Sequence, residues 1–314
     1  MPLHPTVAAM LDQFVASGRP AVSAGTPEQA RRLMAASRPA YGKGPDLARV
    51  EPAAIATRTG AIPGRLYAGP GRPEGLVVYL HGGGWVVGDL DDFDTVARVL
   101  AERSRCAVLL VDYRLAPEAP FPAAVEDAID AVLWADANKP TLAGGPVPLV
   151  VAGDSAGGNL ATVAAAELRG RVEIALQLLI YPVTDGDFGT PSYTEFAAGG
   201  LLTRRDMEWF LGHYARGVPR GDPLLHPAAR TDLAGVAPAH LVTAEYDVLR
   251  DEGETYAGRL AGAGVPATLR RYDGLPHGFI RLHNLVDTAD AALSDIAGVI
   301  RRACAGPSLT GARP

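Results

Sequence analysis

The chain has 314 residues, of which 48% are apolar and 20% charged, and a chain of this size and composition can bury a large core without a metal or disulfide. Its net charge of −6 provides no basic surface for phosphate groups, so nucleic acid is not expected as a partner, and two cysteines are too few for a disulfide framework. No run of 18 apolar residues and no secretion signal after Met1 is present, so no membrane span is expected and the predicted location is the cytoplasm.

Two amphipathic helices are predicted at the start of the chain. The second is expected over about residues 28–37, because Thr26 and Pro27 are residue types that favour the cap and the first turn of a helix. The first is indicated by apolar side chains that recur at the spacing of one helix face, namely Val7, Met10, Leu11, Phe14 and Val15.

Short apolar runs then alternate with longer helical patterns. Strands that are apolar throughout and separated by helices are typical of a parallel sheet covered on both faces. The predicted fold class is therefore α/β, with a mostly parallel central sheet and helices on both sides. These β-branched or apolar runs are residues 76–80, 107–111, 148–152, 174–180, 239–243 and 267–271. The helical patterns between them include residues 95–104, 123–136, 159–168 and 251–261.

One long region, from about Asp185 to Asp232, contains no strand candidate and is rich in large apolar side chains. An insertion of this length in an α/β fold commonly forms a lid over the ligand site, so we predict a helical cap here. The alternative is an excursion that only packs on the domain. The cap residues expected to shape an apolar substrate pocket are Leu201, Leu202, Trp209, Phe210 and Tyr214.

The pentapeptide Gly153-Asp154-Ser155-Ala156-Gly157 has the form G-x-S-x-G. Alone the pattern is weak, because short motifs arise by chance. Its setting strengthens it, since it follows an apolar strand and precedes a helix expected to begin near residue 158, as a nucleophile elbow does. The glycines permit a sharp turn that exposes the Ser155 hydroxyl, and the amide of Ala156 is expected to face a developing oxyanion. Asp154 is expected to brace the turn.

A glycine loop, His81-Gly82-Gly83-Gly84-Trp85, follows the strand predicted at residues 76–80. Glycines let the backbone approach a substrate closely, and this predicts that the amides of Gly83 and Gly84 complete the oxyanion hole. The alternative is a flexible turn, but a position at the carboxyl end of a parallel strand favours a ligand site. His81 is expected to orient the loop by hydrogen bonding and not to act as the base.

The acid and the base of such a site follow the nucleophile in that order along the chain. Of seven histidines, His277 alone lies in a Gly/Pro-rich loop after a late strand, so it is the predicted base. An acid-rich stretch follows the strand predicted at residues 239–243, and spacing alone does not choose among its members. These candidates are Glu245, Asp247, Asp251 and Glu252.

The chain resembles the hormone-sensitive-lipase-like (bacterial family IV) esterases of the α/β-hydrolase superfamily, from about Leu76 to Leu282. In that family the first acid of the D-x-L-x-D-E segment completes the catalytic triad, which implies Asp247 here. The resemblance is specific because five segments appear in the same order. They are residues 81–89, 113–124, 153–159, 247–252 and 277–279.

The same resemblance implies one α/β-hydrolase catalytic domain over residues 1–314, with a cap built from about residues 1–45 and 185–232. It implies short- to medium-chain acyl esters as substrates, is compatible with a homodimer, and implies no metal or cofactor. Trp85, in the glycine loop, joins the cap residues expected to shape the substrate pocket.

The resulting hypothesis is a serine carboxylesterase that acts through an acyl-enzyme intermediate. Ser155 attacks the ester carbonyl, His277 takes the serine proton, and Asp247 orients and stabilises the histidine. One alternative is the same machinery acting on an amide, such as an aryl formamide. The other is a non-catalytic ligand-binding protein on this fold, which the presence of both Ser155 and His277 disfavours.

Overall fold

A computed structural model describes residues 1–18 and 21–305 of the chain; residues 19, 20 and 306–314, which the predicted single domain includes, lie outside the described residues. Through the described part runs one sheet of eight strands. The strands are β1 (Arg49–Thr57), β2 (Gly60–Ala68), β3 (Leu76–Leu80), β4 (Ala107–Val111), β5 (Leu149–Asp154), β6 (Ile174–Ile180), β7 (Ala239–Tyr246) and β8 (Ala267–Pro276).

Ten α-helices are present in the same described residues. They are α1 (Pro5–Ala16), α2 (Pro27–Tyr41), α3 (Asp94–Ser104), α4 (Ala123–Ala137), α5 (Lys139–Ala143), α6 (Ala156–Glu167), α7 (Pro191–Glu195), α8 (Arg204–Tyr214), α9 (Arg250–Gly262) and α10 (Asp287–Cys304). Short 3-10 turns lie at Val22–Ala24, Pro227–Ala229 and Phe279–Leu282.

The order of the strands across the sheet is β1-β2-β4-β3-β5-β6-β7-β8. β1 pairs with β2, and β2 with β4, in antiparallel fashion, whereas all pairs from β4 to β8 are parallel. The carboxyl ends of β3, β5, β7 and β8 therefore meet at one edge of the sheet. This topology confirms the predicted fold class.

β3 shows why the predicted strands read as continuous apolar runs. Leu76, Val78 and Leu80 belong to one buried cluster, while Val77 and Tyr79 belong to a second cluster on the opposite face. All five side chains are fully buried. Helices cover both faces of the sheet, so neither set of alternate side chains needs to be polar.

Two strands and the last helix are additional to those predicted from the sequence. β1 and β2 contain Pro52 and Pro63, and several of their side chains are exposed, so neither forms the apolar run that marks the central strands. Several boundaries also differ from prediction, and two of these differences bear on the site. β8 continues to Pro276, which brings His277 directly after a strand, and α6 begins at Ala156, immediately after Ser155.

We refer to residues 1–45 and 185–232 as the cap segments. Their described parts contain helices and turns but no strand, as predicted. Capping boxes begin two of these helices, with Thr26 and Gln29 at α2 and Thr203 and Asp206 at α8. The backbone N–H of Ser23 donates to Asp206 Oδ1 at 3.2 Å, which joins the two cap segments. No helix within residues 1–18 and 21–305 combines the length and apolar character needed to cross a bilayer.

Candidate active site

Ser155 lies at a sharp turn between β5 and α6, with φ 55° and ψ −119°. This left-handed conformation is uncommon for a residue with a side chain and is typical of strained functional turns. The flanking glycines are required by space, because a Cβ on Gly157 would lie 1.9 Å from the Leu80 carbonyl oxygen, and one on Gly153 would lie 2.3 Å from the Gly157 carbonyl oxygen. The local sequence therefore forms the elbow predicted from it.

The structure brings the three predicted triad residues together from three loops. His277 Nε2 lies 3.0 Å from Ser155 Oγ, and His277 Nδ1 lies 2.7 Å from Asp247 Oδ2. The other carboxylate oxygen of Asp247 accepts the Leu249 amide at 2.9 Å, and the Asp247 side chain is fully buried. The carboxylate is thus fixed, and it can hold the imidazole with Nε2 directed at the serine.

The other acids left open by the sequence have different partners. Glu245 Oε2 accepts the amide of Gly274 at 2.6 Å. Asp251 Oδ2 accepts the amide of Ser192 at 2.7 Å. Glu252 Oε1 accepts the backbone amide of Thr184 at 2.6 Å. Of the four candidates, Asp247 is the one that contacts His277.

The glycine loop that follows β3 adopts conformations that favour glycine, with φ of 118° at Gly83 and 58° at Gly84. A Cβ on Gly83 would lie 2.0 Å from the Val87 carbonyl oxygen. Within the described residues neither the Gly83 nor the Gly84 amide donates a hydrogen bond. Ala156 is the first residue of α6, where amides have no intrahelical acceptor. Three amides are therefore free to bind an oxyanion.

Asp154, the residue before Ser155, holds the glycine loop through hydrogen bonds. Its Oδ1 accepts the Gly82 amide and the Tyr79 hydroxyl, both at 2.9 Å. Burial raises the pKa of the Asp154 carboxyl to about 6, although both hydrogen bonds favour the ionised form. The bracing role expected for Asp154 thus extends to the glycine loop.

His81 is buried between two aromatic rings, a position that does not suit a catalytic base. Its ring centroid lies 4.4 Å from that of Tyr113 and 5.2 Å from that of Phe93. Burial lowers the pKa of His81 to about 4, so the imidazole is neutral at physiological pH. Its Nδ1 lies 2.7 Å from the Gly82 carbonyl oxygen, and this contact fixes the start of the glycine loop.

Phe210, on α8, covers the glycine loop. A Cβ on Gly84 would lie 2.2 Å from the Phe210 ring, so this ring occupies the space immediately beside a candidate oxyanion donor. Trp209 contacts Phe210 edge to face, with ring centroids 5.2 Å apart. Leu202, in the same cap segment, is buried, whereas Leu201 is 43% exposed.

Trp85 and Tyr214 occupy a different position from Phe210. Their rings stack 4.5 Å apart with an interplanar angle of 9°, and both side chains are buried. Phe121 meets Tyr214 edge to face. This geometry favours a packing role that fixes the end of α8 on the glycine loop, and a direct contact of these two residues with substrate stays a prediction.

Two arginines of α2, which were not predicted as site residues, hold the outer side of the glycine loop. Arg31 donates to the carbonyl oxygens of Val86 and Ala116 at 2.8 Å. Arg38 donates to Asp92 Oδ1 at 2.8 Å and to Asp89 Oδ2 at 2.5 Å. The two positions are seven residues apart and therefore share one helix face. That spacing was the available signal, but exposed arginines are too common in this sequence to single out two.

Comparison with known proteins identifies similar chains. Residues 77–281, which include every triad and glycine-loop residue described above, match a family model for the alpha/beta hydrolase fold. The chain is 42% identical over 256 residues to the carboxylic ester hydrolase LipN of Mycobacterium tuberculosis, covering 77% of the chain and 67% of that protein. It is 38% identical over 309 residues to an ethyl acetate hydrolase of Pseudomonas putida, covering 93% of the chain and 96% of that protein.

A solved structure extends this similarity to three dimensions. A hyperthermophilic esterase from the archaeon Pyrobaculum calidifontis aligns with a TM-score of 0.90 at 38% identity. The alignment covers 96% of the chain and 99% of that structure, so it includes the cap segments as well as the sheet.

Proposed function

The chain belongs to the hormone-sensitive-lipase-like branch of the α/β-hydrolase family and is a carboxylic ester hydrolase, and we propose that Ser155, His277 and Asp247 form its catalytic triad. The observation that carries this assignment is the unbroken series of contacts from Ser155 Oγ through both nitrogens of His277 to Asp247, at 3.0 and 2.7 Å. Its substrate is a small-molecule ester.

Acylation begins when Ser155 Oγ attacks the ester carbonyl carbon and its proton passes to His277 Nε2. Asp247 stabilises the imidazolium that forms, because its carboxylate is buried and already hydrogen bonded to Nδ1. The carbonyl oxygen becomes an oxyanion and receives hydrogen bonds from the amides of Gly83, Gly84 and Ala156. Each such donor contributes about 10²–10³ in rate in enzymes of this kind.

The tetrahedral intermediate then breaks the bond between its carbon and the alkoxy oxygen. His277 Nε2 returns its proton to the departing alkoxide, which leaves as the alcohol, and Ser155 remains acylated. Water attacks the acyl carbon in the second half of the reaction and gives its proton to the same nitrogen. Collapse of the second intermediate regenerates Ser155 and releases the carboxylic acid.

The proposed substrates are short- to medium-chain acyl esters. Phe210 supports this preference, because its ring lies directly over Gly84 and leaves little room beside the proposed oxyanion site. An aryl-ester series of increasing acyl length should give its highest kcat/KM in the short to medium range. Replacing Phe210→Ala should raise the ratio of long-chain to short-chain kcat/KM by about tenfold, a typical effect of enlarging an apolar pocket.

One control variant and one further compound complete this series. Glu208→Ala changes an exposed residue of the same helix, which pairs with Arg204, and should leave the chain-length ratio unchanged. An aryl formamide in the same series measures the amide alternative. A ratio unaffected by Phe210→Ala would contradict the proposed position of the acyl group.

The triad itself is tested with Ser155→Ala and with Ser294→Ala, an exposed serine on α10, as the control. Ser155→Ala should fold normally and lose hydrolysis of an aryl acetate by at least about 10⁴-fold. A phosphonate ester should label Ser155 covalently in the wild-type protein, as detected by mass spectrometry. Retention of wild-type rates by Ser155→Ala would overturn the proposal.

A homodimer and a cytoplasmic location complete the proposal, and the family resemblance and the sequence, respectively, support them. Light scattering of the purified protein measures the first, and cell fractionation measures the second.

A further inference from the structure

Glu252 is a buried carboxylate that the proposed chemistry does not use. It lies in the first turn of α9, five residues after Asp247, and is only 3% exposed. Within the described residues it forms no ion pair, in contrast to Glu254 on the same helix, which pairs with Arg271. Burying a carboxylate without a cation is unfavourable, so the position of Glu252 calls for a specific role.

One oxygen of Glu252 holds a particular backbone segment. Oε1 accepts the amides of Thr184 and Asp185, at 2.6 and 3.1 Å. Oε2 is buried and has no hydrogen-bond partner among residues 1–18 and 21–305. The next residue, Gly253, packs close to Pro182, because a Cβ placed on it would lie 3.7 Å from the proline ring. The first turn of α9 is therefore fixed against residues 181–185.

Residues 181–185 are in turn bonded to the nucleophile elbow. The Val183 amide donates to the Ser155 carbonyl oxygen at 3.2 Å. The Asn159 side chain, one turn into α6, donates to the Val183 carbonyl oxygen at 2.9 Å. At the other end of the segment, the Tyr181 ring lies 4.6 Å from the ring of His277. Movement of this segment would therefore displace both Ser155 and His277.

The charge of Glu252 matters because its ionisable neighbours are acidic. Asp185, Asp247 and the Tyr193 hydroxyl are the titratable groups that face it from the 181–185 segment, from the loop after β7 and from α7. Burial raises the pKa of Glu252 well above its ordinary value, and the charges of Asp185 and Asp247 act in the same direction. A neutral carboxyl group can still accept two amide hydrogen bonds through its carbonyl oxygen.

We propose that Glu252 is a positioning residue of the active site and that it acts uncharged: its carboxyl group fixes residues 181–185 beneath Ser155 and His277 without adding a second negative charge beside Asp247. This inference rests on the proposed triad. An ionised Glu252 would add a second negative charge that interacts with the His277 imidazolium. A neutral Glu252 leaves Asp247 as the sole negative partner of His277.

The test compares E252Q with E252A and E252D, and uses E254A as the control on the same helix. E252Q preserves shape and neutrality, so its kcat should stay within about threefold of wild type, and the acid limb of its kcat/KM profile should not move. E252A and E252D withdraw the acceptor from Thr184 and Asp185. Both should lower kcat at least tenfold, with KM within about threefold, because a displacement of about 1 Å in a site can cost 10²-fold. E254A should match wild type.

The rate at which a phosphonate ester labels Ser155 provides a second measure. It should fall in parallel with kcat in E252A and E252D and remain at the wild-type value in E252Q and E254A. Thermal unfolding followed by circular dichroism verifies that each variant is folded, and E252D replaces E252A if the alanine variant is not.

Two results would overturn the proposal for Glu252. A loss in E252Q as large as that in E252D, or a downward shift of its acid limb, would show that the residue must be ionised. Wild-type kcat and labelling in both E252A and E252D would remove the positioning role. In either case Ser155→Ala stays inactive, whereas an active Ser155→Ala would reject the triad whatever the Glu252 variants do.

Discussion

At the carboxyl edge of the sheet, the groups that hold the proposed catalytic residues are buried and hydrogen bonded to their neighbours. Asp247 and Asp154 are at most 3% exposed, and each fixes a loop by accepting backbone amides. Helix α2, in the first cap segment, is attached differently. Arg31 and Arg38 of α2 keep 31% of their side-chain surface in solvent while they hold the outer side of the glycine loop.

This difference separates two tasks. The buried network sets the positions of reacting atoms, and any loss there leaves a polar group without a partner in a region of low dielectric. The attachment of α2 relies on partly exposed contacts that water can replace, so it can change without displacing the proposed reacting atoms. Changes in the buried network should therefore alter kcat most, and changes in the cap attachments should alter stability and selectivity.

After Ser155→Ala, the largest effect is expected from Asp247→Asn. The amide cannot stabilise the imidazolium and can hold His277 in the wrong tautomer, so kcat should fall by about 10²–10⁴. Asp251→Asn serves as the control, because Asp251 contacts Ser192 and Arg250 and not His277. Steady-state kinetics with an aryl acetate measure both variants. Equal losses in the two would contradict the assignment of the acid.

Gly84 and Phe210 lie where the two regions meet, and they offer the next largest effect. Gly84→Ala should lower kcat by about 10²-fold, because its Cβ would overlap the Phe210 ring and displace a proposed oxyanion donor. Phe210→Ala in the same chain should restore part of the loss by removing the overlap.

Gly83→Ala provides the matched case for this pair. Its Cβ would meet the Val87 carbonyl oxygen, which is backbone, so Phe210→Ala should not rescue it. Rescue of both glycine variants, or of neither, would contradict the described contact between α8 and the loop.

Arg38→Ala tests the cap attachment alone. Removing a guanidinium that is hydrogen bonded to the buried Asp92 should lower the free energy of unfolding by about 1–3 kcal/mol, with kcat changed only a few-fold. Arg32→Ala on the same helix removes an exposed pair with Glu28 and should change stability by less than about 0.5 kcal/mol. Urea unfolding measures both. A large fall in kcat with little change in the free energy of unfolding would show that Arg38 acts with the buried network instead.

The last prediction concerns the pH dependence of stability. The pKa of Asp154 is about 6 in the folded protein and about 3.9 in an unfolded chain. Between about pH 4 and 6 the fold retains a proton that the unfolded chain has lost, so this residue's contribution to stability falls as the pH rises through that interval. Asp154→Asn cannot ionise but retains an acceptor for Gly82 and Tyr79.

The stability of Asp154→Asn relative to wild type should therefore increase from about pH 4 to 6 and stay constant above it. Thermal unfolding at several pH values measures this difference. A difference that does not depend on pH would show that Asp154 titrates alike in the folded and unfolded chains.

The central part of the fold and the core of the site could be predicted from the sequence because their signals are local. β3 to β7 are largely apolar runs, and the elbow at Ser155 and the loop at Gly83 require glycine at fixed positions. β1 and β2 were missed because an antiparallel pair at the edge of the sheet, with one face in solvent, lacks that continuous run. The apolar residues Leu293, Ile296 and Ile300 of α10 recur at the spacing of one helix face, which is a local signal of the same kind.

What the sequence could not supply is orientation. Four acids lie within eight residues of one another, and only the direction of each side chain separates Asp247, which meets His277, from Glu252, which meets Thr184. In the same way, aromatic residues of the cap read alike in sequence. Phe210 lies over the glycine loop, whereas Tyr214, one turn further along the same face of α8, stacks on Trp85.

The order of the strands also decides when the enzyme becomes active during its synthesis. Ser155 leaves the ribosome 122 residues ahead of His277, and β8 takes its place at the edge of the sheet only by pairing with β7. The contact between Ser155 and His277 thus joins distant parts of the chain, and such contacts form slowly compared with local helices. The nascent chain therefore carries the proposed nucleophile without its proposed base until β8 and His277 have been synthesised, and in refolding the recovery of hydrolysis requires β8 to pair with β7.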